Sequence, residues 1–306
     1  MAQSEKPRRS WRERLRQNPV LLKEVRGRMR GRRAFVSLTI YLLFLSSFVS
    51  LIYLSGSTAT NAFGSPSDWQ RLGKAVFVAV VGLELFMVCF IAPGVTAGSI
   101  SSERERLTFD VLRTTLLSAR ALVLGKLASA LSYLFLLLIA AIPLQSLAFL
   151  FGGVTPEEVL IGAALLVMTA ITFSALGLYC SSLTRRTQVS TVLAYILALL
   201  FTIGLPLMLA VLLSISMRSY LVNSPGDSST LIALYWLVLS ISPLGAGIVT
   251  ELMLASSQSI FYFNLPISGN NTLNLIAPWI IYLVAHVFIT LALIGLSIRN
   301  VRRPEK

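Results

Sequence analysis

What most constrains this chain is a series of apolar runs, each long enough to cross a bilayer, at 34–54, 74–97, 121–151, 156–183, 189–217 and 275–298. A spanning helix needs about 20 mainly apolar residues, so each run supplies one. A seventh run, 231–254, is interrupted by Ser240, Ser242, Pro243, Gly245 and Gly247 and ends near Glu251. Composition points the same way. Of the 306 residues 55% are hydrophobic and 13% charged, and the mean hydropathy is +0.77, whereas soluble domains run at about 45–50% apolar and 25% charged. A disordered or nucleic-acid-coating chain is excluded despite a net charge of +13. The expected fold is an all-α integral membrane protein.

The basic residues orient the spans, because cytoplasmic loops retain Lys and Arg. With six spans and both termini inside, 23 of the 26 basic residues fall on the cytoplasmic side, leaving Arg71, Lys74 and Arg218 outside. A full span at 231–254 would put the basic C-terminus outside and weaken that bias, so this run reads as a re-entrant or interfacial hairpin on the outer side, within an outer region 218–274. No cleavable signal peptide is visible, and the first span is expected to be retained. Cys89 and Cys180 both lie in apolar runs and read as buried small hydrophobes rather than a disulfide. Asn270-Asn271-Thr272 matches a glycosylation sequon, a pattern common by chance. No internal repeat is visible, and 55–70 is the one stretch of low complexity. Pro143 in the third span, and Gly204 with Pro206 in the fifth, mark expected breaks or bends.

Two segments outside the spans carry pattern. In residues 1–33, Trp11, Leu15, Leu22, Val25 and Met29 form one helical stripe among Arg and Lys, and Asn18-Pro19 supplies an N-cap and first-turn proline. The segment reads as a basic amphipathic helix at the membrane interface; a nucleic-acid arm is disfavoured because it runs straight into a span. In the loop 98–120, Glu103, Arg104, Glu105, Arg106, Asp110 and Arg113 mix both signs, while Leu107, Val111, Leu112 and Leu116 recur at helical spacing. That pattern fits a short amphipathic helix docking on a protein surface, or a solvated connector.

The same loop carries a resemblance. Ser-Ile-Ser-Ser-Glu-Arg-Glu-Arg-Leu-Thr-Phe-Asp-Val-Leu after a span, then Leu-Leu-Ser and a Gly-Lys entering the next span, resembles the permease subunits of type-2 ABC transporters. Their usual pattern is Glu-Arg-Glu-x-Gly-Thr-x-Glu-x-Leu followed by Pro-Leu-Ser. Asn18-Pro19-Val-Leu-Leu-Lys23-Glu24-Val-Arg26 is similar to that family's opening helix, and Ser242-Pro243-Leu244 before the last span also fits. Leu107 stands where the family has glycine and Leu116 where it has proline, so the turn is expected to be shaped differently. The resemblance implies that Glu103, Arg104, Glu105, Thr108 and Asp110, with Arg113 beside them, belong to a cytoplasmic coupling helix contacting an ATPase subunit. It implies that residues 1–33 form the connecting helix and 34–306 a single six-span domain. The implied partners are that cytoplasmic ATPase, a second permease chain (the same or a homologue) and the lipid bilayer, with no nucleic acid. ATP and Mg would be held by the ATPase subunit, none by this chain. The implied place is the plasma or inner membrane, and export is the implied direction.

The chain itself shows no phosphate-binding loop, no Gly-x-Ser-x-Gly elbow and no His-Glu-x-x-His helix. With one His and two distant Cys it offers no metal-ligand cluster. An enzyme or channel of another class is thereby disfavoured; a subunit that transmits ATPase motion or anchors a complex without transporting remains the alternative to a permease. Three ionisable residues sit in apolar stretches. An acid at mid-bilayer costs about 2.5–3.5 kcal/mol on insertion scales, and each Leu, Ile, Phe or Val returns about 0.3–0.6 kcal/mol, so Glu84 can insert but must face the bundle. It reads either as a pathway or gating acid or as a hydrogen-bonded packing residue. His286 reads as a neutral interior histidine bonded to a neighbouring helix, or as a proton relay. Glu251 is placed at the outer interface.

Overall fold

The computed structural model describes residues 32–59, 66–109, 118–223, 228–256, 259–266 and 272–302. The basic segment up to residue 31, Asp110, Arg113, Leu116, Asn270 and Asn271 lie outside these residues. Among the described residues six helices are long and apolar enough to cross a membrane. In chain order the elements are α1 (Arg32–Ala59), α2 (Pro66–Thr96), the short α3 (Ser101–Glu105), α4 (Ala119–Phe151) and α5 (Pro156–Leu183). There follow α6 (Thr187–Leu199), a π turn (Leu200–Gly204) and α7 (Leu205–Asn223), which together make one span. Then come α8 (Ser228–Ile241), α9 (Pro243–Ala255), β1 (Tyr262–Pro266), β2 (Thr272–Ile276) and α10 (Pro278–Arg302).

The bundle is organised around α5, whose most apolar window is 61% buried against 11% for α1 and 12% for α6–α7. Its N-terminus carries a capping box: Glu158 N donates to Thr155 Oγ1, and Thr155 N donates to Glu158 Oε2. Helices α2 and α10 pack along it. Gly177 lets α2 approach closely, since a Cβ there would lie 2.8 Å from the Pro93 Cα and collide with Thr96 Oγ1. Against α10 the contact is polar as well as apolar. Thr169 and Tyr282 share a 2.7 Å hydrogen bond, and Thr172 and Thr290 one of 2.9 Å. Leu85, Leu134, Leu165, Phe173 and Tyr282 sit in the central apolar cluster.

Helices α8 and α9 meet at a 117° bend at Ser242, whose hydroxyl accepts from Gly245 N at 3.0 Å while Pro243 opens α9. At 14 and 13 residues each is about 20 Å long, short of the ~30 Å hydrocarbon core. Lys74, early in α2, pairs with both Glu158 and Glu251, at 2.5 and 3.0 Å. Glu251, near the end of α9, therefore lies level with the starts of α2 and α5, at the end of the bundle opposite α3. The pair turns back to the end it entered from, the geometry of a re-entrant hairpin.

Two details differ from the reading of the sequence. The last span begins at Pro278, and Leu275 and Ile276 belong to β2, paired with Phe263 and Tyr262. The alternation Thr-Leu-Asn-Leu-Ile has a strand period, and proline, lacking an N–H, suits the first helical position. Trp236 Nε1 donates to Ile276 O at 2.9 Å and Trp279 Nε1 to Ile260 O at 3.0 Å, fastening this hairpin to α8 and α10. Pro143 does not interrupt α4, which is continuous from Ala119 to Phe151. In the fifth span the expected break is a π turn: Leu205 N donates to Leu200 O, widening the helix just before Pro206.

Candidate functional site

The site read from the sequence lies where α2 ends and α4, α5, α6 and α10 converge. α3 is one turn and a half long, too short to hold itself in water, and its position is set by bonds to its neighbours. Its first free amides are capped from another helix: Ile100 N and Ser101 N each donate to Ser181 Oγ at 2.9 Å. Arg104 Nη1 donates to Ser182 O at 2.9 Å and to Thr184 O at 3.4 Å, placing a cation on the unsatisfied carbonyls where α5 ends. The Arg104 guanidinium also stacks 5.0 Å from the centre of the buried Phe109 ring.

Glu105 works in the opposite sense at the start of α6. Its Oε2 accepts from Thr187 Oγ1 at 2.6 Å and Thr187 N at 3.4 Å, an acid on a helix N-terminus. Glu103 pairs with Lys126 at 2.8 Å, and the same ammonium donates to Ser99 O at 2.8 Å. Lys126 is only 2% exposed. Ser190 Oγ donates to Ala97 O at 2.6 Å, and Asn300 Nδ2 to Ser182 Oγ at 3.2 Å. The loop is thus joined to three helices, α4, α5 and α6, by directional bonds, and α5 in turn to α10.

α3 stops at Glu105, short of Leu107, so Leu107 lies in a turn and not on a helical face. Leu107 N donates to Arg104 O and Thr108 N to Glu103 O, both at 3.0 Å. This is a Schellman stop, whose residue after the cap must be left-handed, and Leu107 takes φ 58°. The expectation that a leucine would reshape the turn is therefore corrected: the chain makes the glycine-type turn with leucine in it. Thr108 Oγ1 also donates to Glu103 O at 3.2 Å. Of the expected coupling residues, Glu103, Arg104 and Glu105 direct their charges into the chain. The exposed surface is made by Glu105, Arg106, Leu107 and Thr108, with Arg185 and Arg186 in the adjoining α5–α6 link.

The two intramembrane candidates sit elsewhere and apart. Glu84 in α2 is fully buried and accepts from Gln145 Nε2 of α4 at 2.9 Å, its second oxygen unpartnered. His286 in α10 is 3% exposed, stacks on Tyr282 at 3.8 Å and bonds through Nδ1 to Tyr282 O. Its partner is its own helix, one turn back, not a neighbouring helix. The sequence reading missed the Lys74–Glu158–Glu251 cluster and the Lys126–Glu103 pair. Thr155-Pro-Glu-Glu158 carried a legible capping-box signal; nothing in the sequence joins Lys74 to residues so far along the chain. Beside the cluster a cavity of about 60 Å³ separates α9 from α2 and α5, lined by Gly82, Gly162, Gly247, Thr250 and Glu251.

The chain is a polytopic helical bundle with a buried-charge loop at one end and a bent helix pair at the other. The chain belongs to the ABC-2 type transporter family, whose profile matches residues 19–211, more than half of its length. It is a membrane permease component of an ABC transporter. No curated protein matches the chain.

Proposed function

We propose that this chain is the permease subunit of an ATP-driven exporter, passing motion from a cytoplasmic ATPase subunit into its spans through the loop 98–120. The single observation that carries the reading is the bonding of that loop. A load on α3 reaches α4 through Lys126, α5 through Ser181 and Arg104 and α6 through Glu105, and it passes from α5 to α10 through the Ser182–Asn300 bond. A solvated connector has no need of such ties. The bias of 23 of 26 basic residues to one side supports a cytoplasmic loop, with both termini inside and the α8–α9 hairpin outside; the family resemblance favours the plasma or inner membrane. ATP and Mg bind the partner. A second permease chain completes the pathway, and the thinly buried α1 and α6–α7 offer apolar surface to it and to lipid.

The test is reconstitution of the full chain in lipid vesicles with its ATPase subunit. The chain is expected to raise ATP turnover, and ATP is expected to drive accumulation of a membrane-soluble probe inside vesicles whose ATPase face is outermost. Stimulated turnover without movement of any of a panel of probes favours a subunit that transmits motion but does not transport. Absence of any complex with a phosphate-loop ATPase overturns both readings.

A further inference from the structure

We propose that Leu107 is a docking knob, its side chain seated in an apolar socket with an acidic rim on the cytoplasmic ATPase subunit. The inference deepens the coupling reading above and rests on it. Among the described residues Leu107 is the one non-glycine residue with positive φ, 58°. A left-handed backbone crowds Cβ against the neighbouring carbonyl, so glycine or asparagine is the residue this turn favours. Leu107 is also 83% exposed, more than any other exposed large apolar side chain described. The others with high exposure, such as Leu150 and Leu160, lie on helices long and apolar enough to span a membrane. Leu107 lies between exposed Arg106 and Thr108, beyond the end of α2.

Both features are unfavourable in the isolated chain, and among the described residues little packs on the Leu107 side chain. Backbone strain of this kind persists where the surroundings over-determine it, and it concentrates at functional positions. Here the surroundings do: the two Schellman bonds, Glu103–Lys126, Arg104 on the α5 carbonyls and Glu105 on Thr187 fix the turn from both sides. The knob is presented rigidly, so little ordering is lost when a partner closes on it, a known source of affinity. Arg106, Arg185 and Arg186 against Glu105 leave the surrounding surface net basic, and a complementary rim is acidic. The acid in this surface, and its bonding to the helix ends, fit a protein partner better than anionic lipid.

The experiment uses the full chain in nanodiscs, titrated with the phosphate-loop ATPase that co-purifies with it. Leu107→Gly and Leu107→Asn keep the left-handed turn and remove the apolar group; Leu107→Met keeps the apolar group. The first two are expected to weaken ATPase binding about tenfold or more, as loss of a central apolar anchor does. Leu107→Met is expected to stay within about threefold of wild type, a difference below half a decade in the affinity scale. Thermal unfolding of Leu107→Gly is expected to match or exceed wild type, which separates lost contact from lost fold. Wild-type affinity in both Leu107→Gly and Leu107→Asn overturns the knob while leaving the coupling reading standing. Failure of the wild-type chain to bind any such ATPase overturns the coupling reading and the knob together.

Discussion

Each end of the bundle is held by a lysine, and the two lysines are used differently. Lys126, at the α3 end, is 2% exposed and serves one carboxylate and one carbonyl within a dense set of hydrogen bonds. Lys74, at the hairpin end, is 22% exposed and spans two carboxylates from two separate elements, beside a cavity. Directional bonds that satisfy helix ends fix a geometry, whereas a charge shared between two acids tolerates movement of either. The first end is built as a plate and the second as a clamp. A load applied at the plate would therefore be expressed where the clamp has room to shift.

The largest way to break the comparison is Lys126→Met. It leaves Glu103 without its partner and Ser99 O without its donor. Removing one member of a buried pair costs about 3–5 kcal/mol, and because Glu103 is a quarter exposed the lower end, about 3 kcal/mol, is expected. Thermal unfolding in detergent measures it, and Lys126→Met with Glu103→Gln should recover part of the loss. Next comes Gly177→Ala, which drives a methyl into Pro93 and Thr96 at the α2–α5 crossing. Overpacking of this kind costs about 1–3 kcal/mol, read in the same unfolding assay.

Lys74→Met is smaller, about 1–2 kcal/mol, between exposed and buried pairs. Its signature is local: hydrogen exchange in Pro243–Ala255 should accelerate while the α3 end keeps its protection. Equal acceleration at both ends would show that the bundle does not separate into plate and clamp. The smallest effect is opposite in sign. A Cβ at Gly82 meets nothing within 4 Å, and one at Gly247 only Leu85 at 4.0 Å. Gly82→Ala and Gly247→Ala should each stabilise by up to about 1 kcal/mol, the helix-propensity gain over glycine. If the hairpin needs that space to move, ATP-driven activity falls as stability rises.

The spans were legible because lipid imposes a length and a composition on every crossing segment, and Pro156–Leu183 was found to the residue. The hairpin was legible through the interruptions between Ser240 and Gly247 and through the bias of basic residues; in the structure Ser242-Pro243 caps one helix where another ends. What escaped depended on distance along the chain. Ser181 capping α3 and Glu105 capping α6 pair residues about 80 apart, and no local pattern encodes such a partner. Leu107 was read both as part of a helical stripe and, by resemblance, as standing in a glycine's place; that it keeps a glycine's backbone follows from the anchoring of Glu103, Arg104 and Glu105. The β-hairpin was hidden because Leu275 and Ile276 are as apolar as the span they precede.

One consequence of the π turn at Leu200–Gly204 concerns the surface downstream of it. A π turn amounts to one extra residue in the helix, and each residue advances the phase by about 100°. With that extra residue absorbed in the wide turn, Val189, Val192 and Ile196 on α6 and Leu207, Val211 and Ile215 on α7, all exposed, fall within about 100° of one another around the axis. The wide turn thus keeps one apolar face running the length of a span that carries Gly204 and Pro206, and one neighbour can follow it from end to end. An insertion in 200–204 that the turn did not absorb would rotate the α7 stripe off that face by about 100°.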